Sequence, residues 1–173
     1  MTLFAELLAG ARSSVVHLEM RDQYMLDDPD LKAWQEGVRP DPQDRTTWWR
    51  DWLDLPASAT ARGVRIRRLR VVSEPISQYI HYEYDGTFTN IAAGEDVRWL
   101  PRDRAVGLLL PANDFWVFDE DAIVVNHFAG NGDWGAGEEK RTEPELIDVF
   151  LRAFEQAWHR SIPHAEYHPR LAD

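Results

Sequence analysis

Arginine and glutamate recur through the middle of this chain in a pattern that can do chemistry. Arg62, Arg65, Arg67, Arg68 and Arg70 form a basic run in a sequence whose formal charge is −11. Glu74, Tyr79, Glu83, Asn90, Glu95, Arg98, Arg102 and Arg104 follow closely. A guanidinium at Arg70 can hold a carboxylate or phosphate through paired N–H donors. Glu74 or Glu83 can act as a general base where burial raises its pKa, with Tyr79 orienting or donating. A plain structural reading stands beside this. Arg65 and Arg67 alternate with Ile66 and can sit solvated or pair with the surplus carboxylates. Arg68 and Arg70 then face the sheet and need buried acid partners, for which Glu19, Glu83 and Glu95 are available. The cluster is either an internal brace or the wall of a pocket.

The elements that must position these residues can be read from periodicity. Residues 64–72 form the clearest strand, with Val64, Ile66 and Val72 on one face and Leu69 and Val71 on the other. Apolar residues on both faces suit a strand inside a parallel sheet. Ser73, Glu74 and Pro75 read as the start of a helix running to about residue 84, with Ser73 as N-cap. Residues 96–100 form a second strand, so the segment is a βαβ unit. Ligands of open parallel sheets bind beyond the carboxyl ends of the strands. This singles out Arg70, Ser73, Glu74, Arg102 and Arg104, with the helix start at Ser73 favouring an anion.

The rest of the chain frames this unit. Residues 3–8 read as a short helix, 15–19 as a short strand and 28–38 as an acidic helix or loop. Trp48, Trp52 and Leu55 fall at helical spacing, with Trp49 and Leu53 beside them, and predict a core-facing helix over 46–55 closed by Gly63. Residues 115–119 and 122–128 predict a hairpin, and 134–141 a third strand of the same meander. Residues 142–162 carry the stripe Leu146, Phe150, Ala153, Phe154, Ala157 and Trp158, introduced by the capping-box pattern Thr142-Glu143-Pro144-Glu145. The expected fold is a single α/β domain over residues 1–163. Its parts are a mixed sheet with a central βαβ unit, a β-meander and a long C-terminal helix. Residues 1–62 pack on the core, and residues 164–173 form a loosely held polar tail.

Composition removes several chemistries. With no cysteine, disulfides, thiolate metal sites and a Cys nucleophile are excluded. His159, His164 and His168 are interrupted by Pro163 and Pro169, so no metal site is expected. The acidic balance argues against direct nucleic-acid binding and favours a basic partner or a small ligand. No nucleophile elbow, Walker loop or dinucleotide fingerprint is present, and no cofactor is implied. No apolar run is long enough to cross a membrane. The first residues lack a basic leader, so the expected location is the cytoplasm.

The runs 67–75, 90–102 and 114–119 together resemble an uncharacterised family abundant in actinobacteria. Leu18-Glu19, Tyr24 and Ala165-Glu166-Tyr167 suit the same resemblance. Members of that family are often encoded beside helix-turn-helix regulators and small acidic proteins. Residues 115–128 with the final helix are also distantly similar to one half of the phospholipase D fold. Its catalytic pattern is His-x-Lys-x4-Asp. With Asp119 in the Asp place, Ala112 stands for the His and Asp114 for the Lys. The resemblance therefore implies a degenerate, non-catalytic relative.

Two functional expectations follow. One is a non-enzymatic sensing or interaction module in transcriptional regulation, binding a helix-turn-helix regulator or a small anionic ligand. The other is an enzyme acting on a small polar substrate in a pocket lined by Arg70, Ser73, Glu74, Tyr79, Glu83, Asn90, Glu95, Arg98 and Arg104.

Overall fold

The computed structural model describes residues 2–172. Three strands lie parallel at the centre of one mixed sheet: β1 (Ser14–Glu19), β2 (Arg65–Val72) and β3 (Asp96–Pro101). The meander of β4 (Asp114–Phe118), β5 (Ala122–Phe128) and β6 (Trp134–Arg141) joins antiparallel at β1. A two-residue strand, β7 (Ile162–Pro163), covers the β3 edge, giving the order β6-β5-β4-β1-β2-β3-β7. The βαβ unit read from residues 64–100 is present. A second parallel connection, from β1 to β2, precedes it.

Helices cover both faces. The long α5 (Pro144–Arg160) lays Phe154, Ala157 and Trp158 on Leu18, Leu69, Val71, Leu100, Phe115 and Val117. These are the alternate residues of four strands, which a period of two sends to one face. On the other face, α1 (Leu3–Gly10) and α3 (Asp54–Ala61) pack on Val15, Ile66, Trp116 and Val124. There α4 (Gln78–Ala92) brings Ile80 onto Val72 and Trp99. The small α2 (Pro29–Gln35) packs Trp34 against His81 of α4.

Several sequence readings are corrected. Helix α4 begins after Ser77, whose hydroxyl accepts from the Ile80 N–H at 3.1 Å, and not after Ser73. Ser73 is held instead by Asp22, which accepts from its N–H and its hydroxyl at 2.8 and 2.6 Å. The helix also continues past residue 84. Its second half hides its inner face because that face is polar: Thr87 and Asn90 are buried. The 46–55 segment is not one helix. It folds as two 3-10 turns, Arg45–Thr47 and Asp51–Leu53, leading into α3. Trp48 is buried against Phe88, but Trp52 is exposed. Gly63 does close this region, at φ +93°.

At α5 the capping box does not form. Glu143 is the N-cap, and its carboxylate takes the Arg141 guanidinium at 2.5 Å rather than the helix N–H groups. The tail beyond 163 is not loose. Tyr167 is 2% exposed, stacks on Trp99 with ring centroids 5.3 Å apart, and donates to Glu74 at 2.6 Å. The Ile76 N–H donates to the Arg170 carbonyl at 2.8 Å. The extended 74–76 segment, read from sequence as helix, is what receives this tail.

Candidate functional site

Strand β2 sends Arg68 and Arg70 to the face under α4, and both are buried there. Register decides their partners. Arg68 and Arg70 lie beside His17 and Glu19 of β1, so the Glu19 carboxylate falls between the two guanidiniums. Arg68 donates to Glu95 at 2.7 and 3.2 Å and to Glu19. Arg70 donates to Glu19 at 2.7 Å, to the Thr87 hydroxyl at 2.6 Å, and pairs with Glu83 at 2.5 Å. Asn90 donates to Glu95 at 3.1 Å, and Tyr79 donates to Glu83 at 3.0 Å. Arg70, Tyr79, Glu83, Asn90 and Glu95 therefore belong to one network, completed by Glu19, Arg68 and Thr87.

Charge states in this network are fixed by their neighbours. Burial opposes ionisation of Glu19, but Arg70 and Arg68 outweigh it and hold the carboxyl well below its usual range. His17 is pushed down, first by burial and then by Arg68 and Arg70 against the opposing pull of Glu19. Its neutral ring stacks on Trp116 at 3.6 Å, with Nδ1 placed 3.0 Å from Arg68 Nη1. These buried pairs satisfy one another, which is the condition under which such groups persist in a core. The arrangement braces β1, β2 and α4.

The other residues singled out from sequence lie apart from the network. Ser73 accepts from Arg102 Nε at 3.0 Å. Glu74 faces Tyr167 and Arg170. Arg98 is on the opposite face, its guanidinium 4.4 Å from the Trp158 ring. Arg104 sits on the 3-10 turn Arg102–Ala105, where its carbonyl faces Arg160. Arg67, read as solvated or paired with a surplus carboxylate, is mostly enclosed and paired with Glu155 at 2.5 Å.

A cavity of about 380 Å³ opens at the carboxyl ends of the parallel strands, where a ligand was expected. The chain leaving β1 supplies Met20 and Arg21, the chain leaving β3 supplies Arg102, and the approach to β4 supplies residues 110–113. Asp114, Asn126 and Phe128 close its wall. Asp114 and Asn126 are direct partners across β4 and β5. Arg21 is fixed by the Ala129 carbonyl at 2.8 Å and by the Phe128 ring, 5.7 Å from its guanidinium carbon. Arg102 is anchored by Ser73 and by the Met20 carbonyl.

Polar balance behind this cavity's wall is incomplete. Arg21 Nε and Asn126 Oδ1 have no hydrogen-bond partner among the described residues, and both atoms are shut off from solvent. Buried polar groups are normally paired, and an orphan costs about 1–3 kcal/mol. Asp114 accepts from the Met20 N–H at 3.0 Å and from the Tyr24 hydroxyl. Burial lifts its carboxyl to about 6; the Tyr24 hydrogen bond opposes this, and the Glu19 charge adds to it. The site thus offers two cations and one readily protonated acid.

Arg102 was singled out from sequence at this end of the sheet, whereas Arg21 and Asn126 were not. A signal for the latter existed. Asp114 and Asn126 are buried polar residues at the matching ends of two strands, DFWVF and AIVVNHF, in which His127 is the one other polar residue. Ala112 and Asp114, the residues that the resemblance sets against the His and Lys of the phospholipase D pattern, both line the cavity. Asp119 lies at the far end of β4, where it accepts from the Ser13 and Ser14 N–H groups at 2.8 and 3.0 Å.

Similarity to known proteins agrees with the architecture. The chain is similar in fold to Nuc, a phospholipase D family member from Salmonella typhimurium. The TM-score is 0.52 at 13% identity, over 93% of this chain and 88% of that one. It is also similar to TrmBL2, an archaeal chromatin protein, with a TM-score of 0.51 at 11% identity. That match covers 92% of this chain but 48% of the other. No curated protein matches the chain. Residues 2–169 match a domain of unknown function, DUF6879, and the chain belongs to that family.

Proposed function

We propose that this chain is a non-enzymatic sensing module that takes a small anionic ligand into the cavity between Arg21 and Arg102. Occupancy is then read by a protein partner. The observation that carries this reading is the convergence of Arg21 and Arg102, each fixed by carbonyl oxygens or aromatic contact, on one recess at the switch between parallel and antiparallel strands. Prepositioned guanidiniums are well suited to carboxylate or phosphate. The apolar parts of the wall, from Met20, Leu110, Pro111 and Phe128, lower the dielectric on one side of the recess and strengthen such contacts. The buried network around Arg70 supports the cavity from behind, and its groups are already matched.

A helix-turn-helix regulator is the proposed partner, on the strength of the family resemblance. A formal charge of −11 suits a basic partner surface. TrmBL2 is a chromatin protein of which this fold forms about half; the likeness supports use of the fold as one module of a larger assembly.

Anion-dependent thermal stabilisation tests the reading. A ligand that binds only the folded state stabilises it by RT ln(1 + [L]/Kd), so Tm climbs with ligand concentration. Millimolar citrate, malate or inorganic phosphate should raise Tm for the wild type, at constant ionic strength, and not for Arg102→Met. Equal shifts in both proteins, or none, would remove the cavity from the account.

A second reading, an enzyme acting on a small polar substrate, is favoured by one observation. Asp114, with its carboxyl lifted to about 6, could serve as a proton donor or acceptor inside the cavity. Turnover abolished by Asp114→Asn would establish it.

A further inference from the structure

We infer that the cavity takes a short dicarboxylate lying lengthwise, with one carboxylate on Arg21 and the other on Arg102. This rests on the anion-binding reading above and narrows it.

The inference comes from where the two guanidiniums are anchored. Arg102 reaches back over the ends of β1 and β2, with Nε on the Ser73 hydroxyl at 3.0 Å and Nη2 on the Met20 carbonyl. Arg21 turns the other way, and its Nη2 donates to the Ala129 carbonyl, just past β5, at 2.8 Å. Strand β4 runs between β1 and β5. Two strand spacings therefore separate the anchoring carbonyls, on the order of 10 Å. Each guanidinium keeps a donor for a ligand. On Arg21 only Nε is both unpartnered and shut off from solvent, which leaves Nη1 accessible. The Arg102 side chain is 43% exposed, and its Nη1 makes no hydrogen bond among the described residues. One carboxylate matches one guanidinium fork. Two forks held on opposite sides of β4 call for two carboxylates.

The charge between the arginines points the same way. Asp114, at the start of β4, belongs to the wall between them. Across the recess the order of charge is thus positive, negative, positive. A compact oxyanion centred between the arginines meets the Asp114 charge, whose field acts through space whether or not the carboxylate is accessible. A diacid carries its charges at its two ends and uncharged methylenes in the middle. Met20, Leu110 and Pro111 give those methylenes an apolar wall. The volume of about 380 Å³ is at the small end of ligand pockets, which suits a few-carbon acid better than a nucleotide.

A length series tests this on the full chain. Calorimetric titration at neutral pH and constant ionic strength would compare oxalate, malonate, succinate, glutarate, adipate and pimelate. Affinity should peak at succinate, glutarate or adipate and fall towards both ends of the series. The best diacid should bind at least about tenfold more tightly than its half-amide, which keeps the length and loses one charge. It should also bind more tightly than inorganic phosphate. Arg21→Met and Arg102→Met should each remove the preference for diacid over half-amide while the wild-type circular dichroism spectrum is kept. The wild-type series decides the matter even where a variant does not fold. Affinity that is flat or monotonic with length, a half-amide equal to its diacid, or phosphate binding more tightly than every diacid would overturn the inference and leave the anion reading standing. No binding by any of these ligands would overturn both.

Discussion

Asp114 and Asn126 face each other across β4 and β5 at the point where both strands reach the cavity. Phe115 and Val125 flank them on the same strands, and each is more than nine-tenths buried. Two polar side chains in that setting impose a cost on folding unless something answers them. The protein answers Asp114 with Met20 and Tyr24 and leaves Asn126 Oδ1 open.

The raised pKa of Asp114 makes stability depend on pH in a defined direction. The folded value of about 6 lies above the value near 4 of an unfolded aspartate. The contribution is therefore fully present below pH 4 and lost as pH rises through 6. At pH 8 the charged form costs up to ~3 kcal/mol relative to a neutral group. Groups facing Asp114 include Glu19, Arg21, Tyr24 and Arg102. Of these, Glu19 adds to the upward shift, while the Tyr24 hydrogen bond and Arg21 pull against it. Asp114→Asn should raise stability at pH 8 and flatten the pH 5–7 slope, read by urea unfolding at each pH. A variant less stable than wild type at pH 8 would contradict this assignment.

Glu19 acts in the opposite sense. Its folded pKa is depressed, so its contribution is present above about pH 4 and is lost as pH falls below that value. Acid unfolding of the wild type should begin in that range. Glu19→Gln should already be destabilised at pH 7, because Arg68 and Arg70 lose a shared partner.

Glu95 is the more enclosed acid, with a side chain 1% exposed, and it is paired twice with Arg68. Removing one member of a buried pair leaves the other charge uncompensated, at a cost of about 3–5 kcal/mol. Glu95→Ala should lose stability on that scale in denaturant titration. Replacing Arg68 and Glu95 together with Met and Leu should lose less than the single variant. A double loss equal to the sum of the Arg68 and Glu95 single losses would show that the pair is not coupled.

The C-terminal segment is a structural part of the domain. Tyr167→Ala removes a ring stacked on Trp99 and the donor to Glu74, and should cost about 3 kcal/mol or more. Deletion of residues 164–173 should destabilise at least as much, monitored by Tm. A truncated chain as stable as the wild type would restore the tail to the loose role read from sequence.

Legibility in the sequence followed the range of the interactions. The β2 strand, the meander and the α5 stripe rest on local alternation of apolar residues, and all three were readable. The acids that answer Arg68 and Arg70 were readable as a set, because a buried guanidinium requires a carboxylate and Glu19, Glu83 and Glu95 were at hand. The start of α4 was not, because two serines compete for the cap and Asp22, far earlier in the chain, occupies Ser73. The Trp48–Leu55 stripe misled because short polar turns at Arg45–Thr47 and Asp51–Leu53 divide it. The cavity was half visible. Arg102 lay where strand topology directs a ligand, whereas Arg21 and Asn126 reach it only through the β1–β4 and β4–β5 pairings.

The central claim is that a small anion sits between Arg21 and Arg102. A crystal structure of the chain soaked with citrate or inorganic phosphate tests it most directly. The account predicts ligand density in that recess, with oxyanion oxygens within hydrogen-bond distance of the Arg21 and Arg102 guanidiniums. Density only elsewhere, such as the groove beside Arg65 and Arg152 on the α5 face, with the recess unchanged, would contradict it.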